Sequence, residues 1–340
     1  MTGLQPQFES PWPHRVAVLL VCATFPLIWV GGLVTTYDAG MAVPDWPSTF
    51  GYNLFLYPWQ TWVYGPWNVF IEHGHRLFGA AVGMLTILLV AVVCRCDSRR
   101  WMHGLSFAAL VAVIFQGVLG GLRVRMDERT LAQIHGCFGP AFFALTVALA
   151  ACTSRKWAET SPTKTEGRKR SPDAKLPRLA LLTTILAYLQ LVLGSQVRHV
   201  RADADASSFR GAVLLHLFMA GVVAVHVLLV VLRTLRYHRT EPALIWPAIS
   251  LATLLLVQLA LGAGAWVTNF GPIPWLSDNA WSQQYVITQK GQVQALVTTA
   301  HMAGGSLVLV TSLLIALRSF RLRRVLSSES GRPFAAGVLA

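Results

Sequence analysis

Charge is scarce in this chain: 13% of its 340 residues are charged, whereas 54% are hydrophobic. A soluble domain carries about 25% charged residues, so an ordinary water-soluble enzyme is excluded. A disordered chain is excluded too, because it would show few apolar residues and much charge. Cysteine is sparse. The five present, Cys22, Cys94, Cys96, Cys137 and Cys152, lie inside apolar runs or beside arginines, and none reads as half of a structural disulfide. Acidic side chains number only 15 against 28 Lys and Arg, for a net charge of +13. Nucleic acid would need those cations along one face. They fall instead in short clusters between apolar runs, so no nucleic-acid partner is expected.

What the chain does have is long apolar stretches. A bilayer core about 30 Å thick needs roughly 20 apolar residues in a helix, and runs of that kind occupy 15–37, 75–95, 101–123, 131–152, 178–199, 212–233, 244–268 and 295–317. The first run is too long for the core of a signal peptide and lacks a small-residue cleavage site, so it is kept as a helix. The reading is an all-α integral membrane protein. Cations are retained on the cytoplasmic side of such proteins. Twenty of the 28 fall in the segments sharing the N-terminus's side, seven on the other side, and Arg76 opens the second run. Both termini are therefore expected in the cytoplasm. The polar, Pro-containing stretch 153–177 reads as a flexible linker between a half formed by 1–152 and one formed by 178–340, two pseudo-symmetric four-helix bundles.

A phrase recurs near the outer end of odd-numbered helices: Gln116-Gly117-Val118-Leu119-Gly120, Gln190-Leu191-Val192-Leu193-Gly194 and Gln258-Leu259-Ala260-Leu261-Gly262. Gly31-Gly32 is a variant without the Gln. The phrase serves either helix packing or a flat ligand laid against the helix. Each of these helices is followed by one bearing a histidine just inside its outer end, namely His75, His135, His216 and His301. An ionisable side chain in a lipid-embedded helix costs about 2 kcal/mol or more, so four at equivalent depth point to function. Imidazole is the commonest neutral metal ligand, and pairs of facing imidazoles between helices suit hexacoordinate haem iron. Two haem-sized pockets follow, one per half. His226 reads as structural or as a ligand at a second depth. His14, His103 and His238 are expected to snorkel to the cytoplasmic interface, and His73 and His199 lie at the outer surface.

The halves differ in one phrase, Glu72-His73-Gly74-His75-Arg76. Glu72 and His75 share a helix face, whereas the positions three before His135, His216 and His301 are Ala132, Val213 and Thr298. A haem used only for electron transfer gains nothing from a carboxylate, while oxidation of a substrate needs a group to take a proton or balance positive charge. The first half is therefore expected to be the reactive one. A salt bridge from Glu72 to Arg76 at i,i+4 is the other reading, and the two can coexist. The preceding loop, 38–71, holds Asp45-Trp46-Pro47, Trp59, Trp62 and Trp67 with little charge; its length predicts a lid that folds back.

These residues resemble the haem A synthase family over nearly the whole chain. The resemblance is carried by the eight helices in two halves, Gly31-Gly32-Leu33-Val34-Thr35-Thr36, the loop Ala39-Gly40-Met41 with Asp45-Trp46, Glu72-x-x-His75-Arg76, and His135, His216 and His301. It implies an enzyme of the inner (plasma) membrane that oxidises the C8 methyl of haem O to a formyl group, giving haem A for terminal oxidase assembly. A hydroxymethyl intermediate and a hydrate that loses water would lie on the way. It further implies that His75 and His135 face the substrate haem, that Glu72 assists the oxidation, and that His216 and His301 ligate a resident haem b. Membrane lipid, haem O synthase and an electron donor or acceptor are the implied partners. Many bacterial members carry a cysteine pair in outer loops, and 38–72 and 269–294 contain none, as in the cysteine-free branch. The rival reading from the residues is a di-haem b-type electron carrier, quinol-linked and without porphyrin chemistry. A transporter is more distant, because no ionisable cluster lies near the midplane.

Overall fold

A computed structural model describes residues 10–158, 174–199, 205–271 and 291–329. Among them there is no β-strand, only an isolated bridge between Thr49 and Tyr52. Eight long helices, α1 (Trp12–Thr36), α3 (Trp67–Cys96), α4 (Arg100–Met126), α5 (Arg129–Thr153), α7 (Lys175–Arg198), α8 (Ala206–Tyr237), α9 (Pro242–Phe270) and α10 (Gln292–Glu329), are joined by short α2 (Trp59–Val63), a 3-10 turn (Ala39–Met41) and α6 (Arg155–Ala158). All eight are long and apolar enough to cross a membrane. The chain is a multi-pass membrane protein.

Every predicted span is present, and most run further than predicted. The apolar run of the second span opens at His75, but α3 begins at Trp67, since hydropathy stops at polar residues while the helix does not. Its first two turns carry Glu72 and His73, both buried and bonded to the preceding loop. The α5 and α8 starts are capped by Glu128 and Asp205, which accept from Thr130 N (3.0 Å) and Ser208 N (2.8 Å), satisfying amides that a helix start leaves free. Five buried threonines are satisfied within their own helices: Thr24, Thr86, Thr153, Thr184 and Thr234 each donate to the carbonyl four residues back, which lets a polar side chain sit in an apolar layer.

One large buried cluster draws on α1, α3, α4 and α5, through Leu20, Leu89, Met102 and Leu149; another draws on α7 to α10, through Leu176, Val230, Leu251 and Ile315. The α10 helix packs on α1 and α5, and α5 also packs on α7. Polar bonds cross this seam: Arg198 Nη2 donates to the Gly32 carbonyl (2.8 Å) and to Thr36 Oγ1, and Thr36 lies 3.3 Å from Thr299 Oγ1. Large apolar side chains such as Val111, Phe218 and Leu256 stay outside, each more than 65% exposed, a surface that matches lipid rather than water. Most of the predicted linker, 153–177, lies outside the described residues.

Candidate functional site

Each of the four predicted histidines lies on a glycine of the preceding long helix. His75 of α3 rests on Gly31 of α1, His135 of α5 on Gly120 of α4, His216 of α8 on Gly194 of α7, and His301 of α10 on Gly262 of α9. A Cβ at these glycines would come within 2.8, 3.1, 3.0 and 3.0 Å of the imidazole Cε1, closer than van der Waals contact permits. The glutamines hold the same residues by their backbones. Gln116 and Gln190 Nε2 donate to the carbonyls of His135 (3.2 Å) and His216 (3.1 Å), and the Gln258 amide, in the orientation its neighbours require, donates to that of His301 (2.9 Å). Leu27 occupies the corresponding place in α1. The Gln-x-x-x-Gly phrase seats an imidazole of the next helix.

The seats bring the rings together in pairs. His75 and His135 have ring centroids 6.3 Å apart at 85°, and His216 and His301 are 6.3 Å apart at 84°. An imidazole nitrogen binds a first-row metal at about 2 Å and lies about 1.1 Å from its ring centroid, so two imidazoles sharing one axial metal should have centroids roughly 6 Å apart. Both pairs meet that spacing, and the residues fit a bis-imidazole iron. Among the described residues there is no group of three or more His, Cys, Asp or Glu that could hold a bare metal ion.

Beside the first pair, Glu72 is buried at 1% exposure. Its Oε1 accepts from Arg76 Nη2 (2.8 Å) and its Oε2 from the Val43 backbone N–H (2.8 Å). Arg76 also donates to the carbonyls of Val43 (2.7 Å), Asp45 (2.6 Å) and Ser48 (2.9 Å). The predicted salt bridge is therefore present, and with it the folded-back loop: the pair grips residues 43–48 on the outer end of α3. Trp46 from that loop lies against Gly121, where a Cβ would come 2.3 Å from the indole. Asp45 orders the same loop by accepting from Phe50 N (2.7 Å) and Gly51 N (2.9 Å). Burial raises its carboxyl pKa, but the bonds from Gly51, Ser48 and Phe50 outweigh that and leave it below the ordinary carboxylate value.

The remaining histidines are accounted for otherwise. His73 points into the loop, its Nδ1 3.1 Å from Thr49 Oγ1 and its ring 5.0 Å from that of Tyr57. His226 Nδ1 is 2.9 Å from the Val222 carbonyl of its own helix, which favours the structural reading. His14 and His103 bond the carbonyls of Ala150 and Asp97, groups that helix ends leave free. His238 is likewise buried.

Residues 65–212 match the COX15-CtaA family model, described as cytochrome oxidase assembly protein. The chain is 25% identical over 253 residues to a protein named Heme A synthase from Alkalihalophilus pseudofirmus, covering 68% of this chain and 80% of that one. It is 27% identical over 193 residues to a Heme A synthase from Symbiobacterium thermophilum, 56% and 58% of the two chains. With one from Allorhizobium ampelinum it is 33% identical over 131 residues, 35% of each. Over these stretches the chain is similar to haem A synthases. The segment matched by the family model holds Glu72, His75, Arg76 and His135 together with two of the three Gln-x-x-x-Gly seats, whereas His216 and His301 lie beyond it.

Two features of the site escaped the sequence reading. The glycines were visible only as a repeat, because the partner each one admits is on another helix. Arg123, at the outer end of α4, was counted only as a loop cation. A Cβ at Gly40 would lie 2.7 Å from its Nη1, so its guanidinium fills a place that Gly40 leaves open, near enough to Glu72 for the two charges to interact.

Proposed function

We propose that this protein is a haem A synthase that oxidises the C8 methyl of haem O to a formyl group. The reading is carried by one observation: two imidazole pairs of equal spacing, of which only one has a carboxylate within a helical turn. Residues 1–152 form the substrate half and 178–340 the half for a resident haem b, joined by a cytoplasmic linker at 153–177, with both termini in the cytoplasm of the plasma membrane. His75 and His135 hold the substrate's iron, which fixes the porphyrin edge relative to Glu72. His216 and His301 would hold haem b, which when bound would supply one-electron acceptance.

The chain's own contribution is position, exclusion of water and charge. The glycine seats fix the height and tilt of each imidazole, so the porphyrin is oriented before any chemistry. The 43–48 loop, gripped by Arg76, closes the outer side of the first pair. Glu72 keeps lone pairs beyond those used by Arg76 and Val43; there it takes up a proton released as the methyl carbon is oxidised, or balances the charge that develops.

The test is expression with haem O supplied, followed by mass analysis of extracted haems. The wild type should yield the formyl product, and Glu72→Ala should retain bound porphyrin and lose conversion. Unmodified haem O alone from the wild type would overturn the reading.

A further inference from the structure

Three arginines, Arg76, Arg123 and Arg198, are at least half-buried at the outer level of the bundle. Two are committed: Arg76 to Glu72 and three loop carbonyls, and Arg198 to the Gly32 carbonyl and Thr36. Arg123 differs. Among the described residues its guanidinium forms neither a hydrogen bond nor an ion pair, although Glu72 is near enough for the two charges to act on one another. Both Glu72 oxygens already have partners. Arg123 also lies one helical turn beyond Gly120, the glycine on which His135 rests, and its charge acts on both His75 and His135.

A half-buried guanidinium without an acceptor is costly. Its planar fork matches a carboxylate, which it can bind by two parallel hydrogen bonds. The position is specific to this site. Arg123 lies three residues after the seat Gly120, and the residues three after Gly31, Gly194 and Gly262 are Val34, Val197 and Ala265. Gly40 has no side chain to obstruct the fork.

We propose that Arg123 anchors a carboxylate of the porphyrin held between His75 and His135. This rests on the assignment of that pair to the substrate. A lipid phosphate is the other source of an anionic oxygen acceptor, and the test separates the two.

The full-length protein in nanodiscs is titrated with iron protoporphyrin IX and with its dimethyl ester, which lacks the anionic groups. Wild type should bind the acid about ten- to a hundredfold more tightly than the ester, as expected for a charge-assisted bond. Arg123→Gln should bring the two to within about threefold, and Arg123→Lys, which keeps charge without the fork, should fall between them. Equal binding of acid and ester by wild type, or a preference that survives in Arg123→Gln, overturns the proposal. A loss of bound phospholipid phosphorus in Arg123→Gln with the porphyrin preference intact overturns it in favour of the lipid. A titration unchanged in His75→Ala and in His135→Ala overturns the assignment of the site itself, a failure distinct from that of Arg123. The absorbance band of haem held by the other pair reports that each variant is folded.

Discussion

The imidazole of His75 lies on Gly31 so closely that a Cβ there would come 2.8 Å from Cε1, the tightest of the four seats. A methyl group at this place must displace the ring or separate α1 from α3. Gly31→Ala should cost about 1 to 3 kcal/mol in overpacking and lower porphyrin occupancy of the first pair. Gly262→Ala should lower occupancy of the second pair instead. Reduced-minus-oxidised spectra with haem-to-protein ratios read both. Full occupancy of both sites in both variants would contradict the seating role.

The Glu72–Arg76 bridge has unequal halves. Removing Glu72 leaves Arg76 with three carbonyl acceptors, whereas removing Arg76 leaves a carboxylate at 1% exposure with one amide donor. Breaking a buried pair costs about 3 to 5 kcal/mol when a charge is left uncompensated. Arg76→Ala should therefore lower the unfolding temperature more than Glu72→Ala, and it should speed amide exchange over 43–48. The opposite order would show that the loop is held by other contacts.

Trp46 and Gly121 form the loop's other attachment. Gly121→Ala cannot keep the indole in place, since the Cβ would lie 2.3 Å from it. The expected result is faster exchange at residues 43–52 with the eight-helix circular dichroism unchanged. Trp46→Ala should release the same segment by deleting the contact, an apolar loss of order 3 kcal/mol.

Asp45 makes the loop sensitive to acid. Its folded pKa is depressed, so its stabilisation is present above the ordinary carboxylate value of about 3.9 and is lost as pH falls through the lower folded value. Protection of the Phe50 and Gly51 amides should hold constant from neutral pH to about 5 and fall below 4. In Asp45→Asn that protection should be weaker throughout and nearly independent of pH.

Much of this was legible before any coordinates. Apolar length gave all eight spans, because a helix in lipid must satisfy its backbone internally. Repetition singled out the four histidines, and the i,i+4 spacing of Glu72 and Arg76 gave their bridge. The start of α3 at Trp67 was hidden because Glu72 and His73 are polar, and only the loop folded on them makes their burial tolerable. The function of the glycines was hidden for a related reason. What Gly194 permits is a ring 22 residues further along the chain, and no local pattern records it. Arg123 looked like one more cation in a topology count, since the neighbour that makes room for it, Gly40, is distant in sequence.

Two adjacent glycines of α1 meet different helices. Gly31 bears the ring of His75, and Gly32 faces Thr299 and Met302 of α10 while its carbonyl receives Arg198. Thr299 and Met302 flank His301. A single turn of α1 is thus wedged between the supports of both histidine pairs, with no side chain of its own to cushion either. Any tilt of that turn which shifts His75 must be transmitted to the neighbours of His301, so the two centres cannot relax independently.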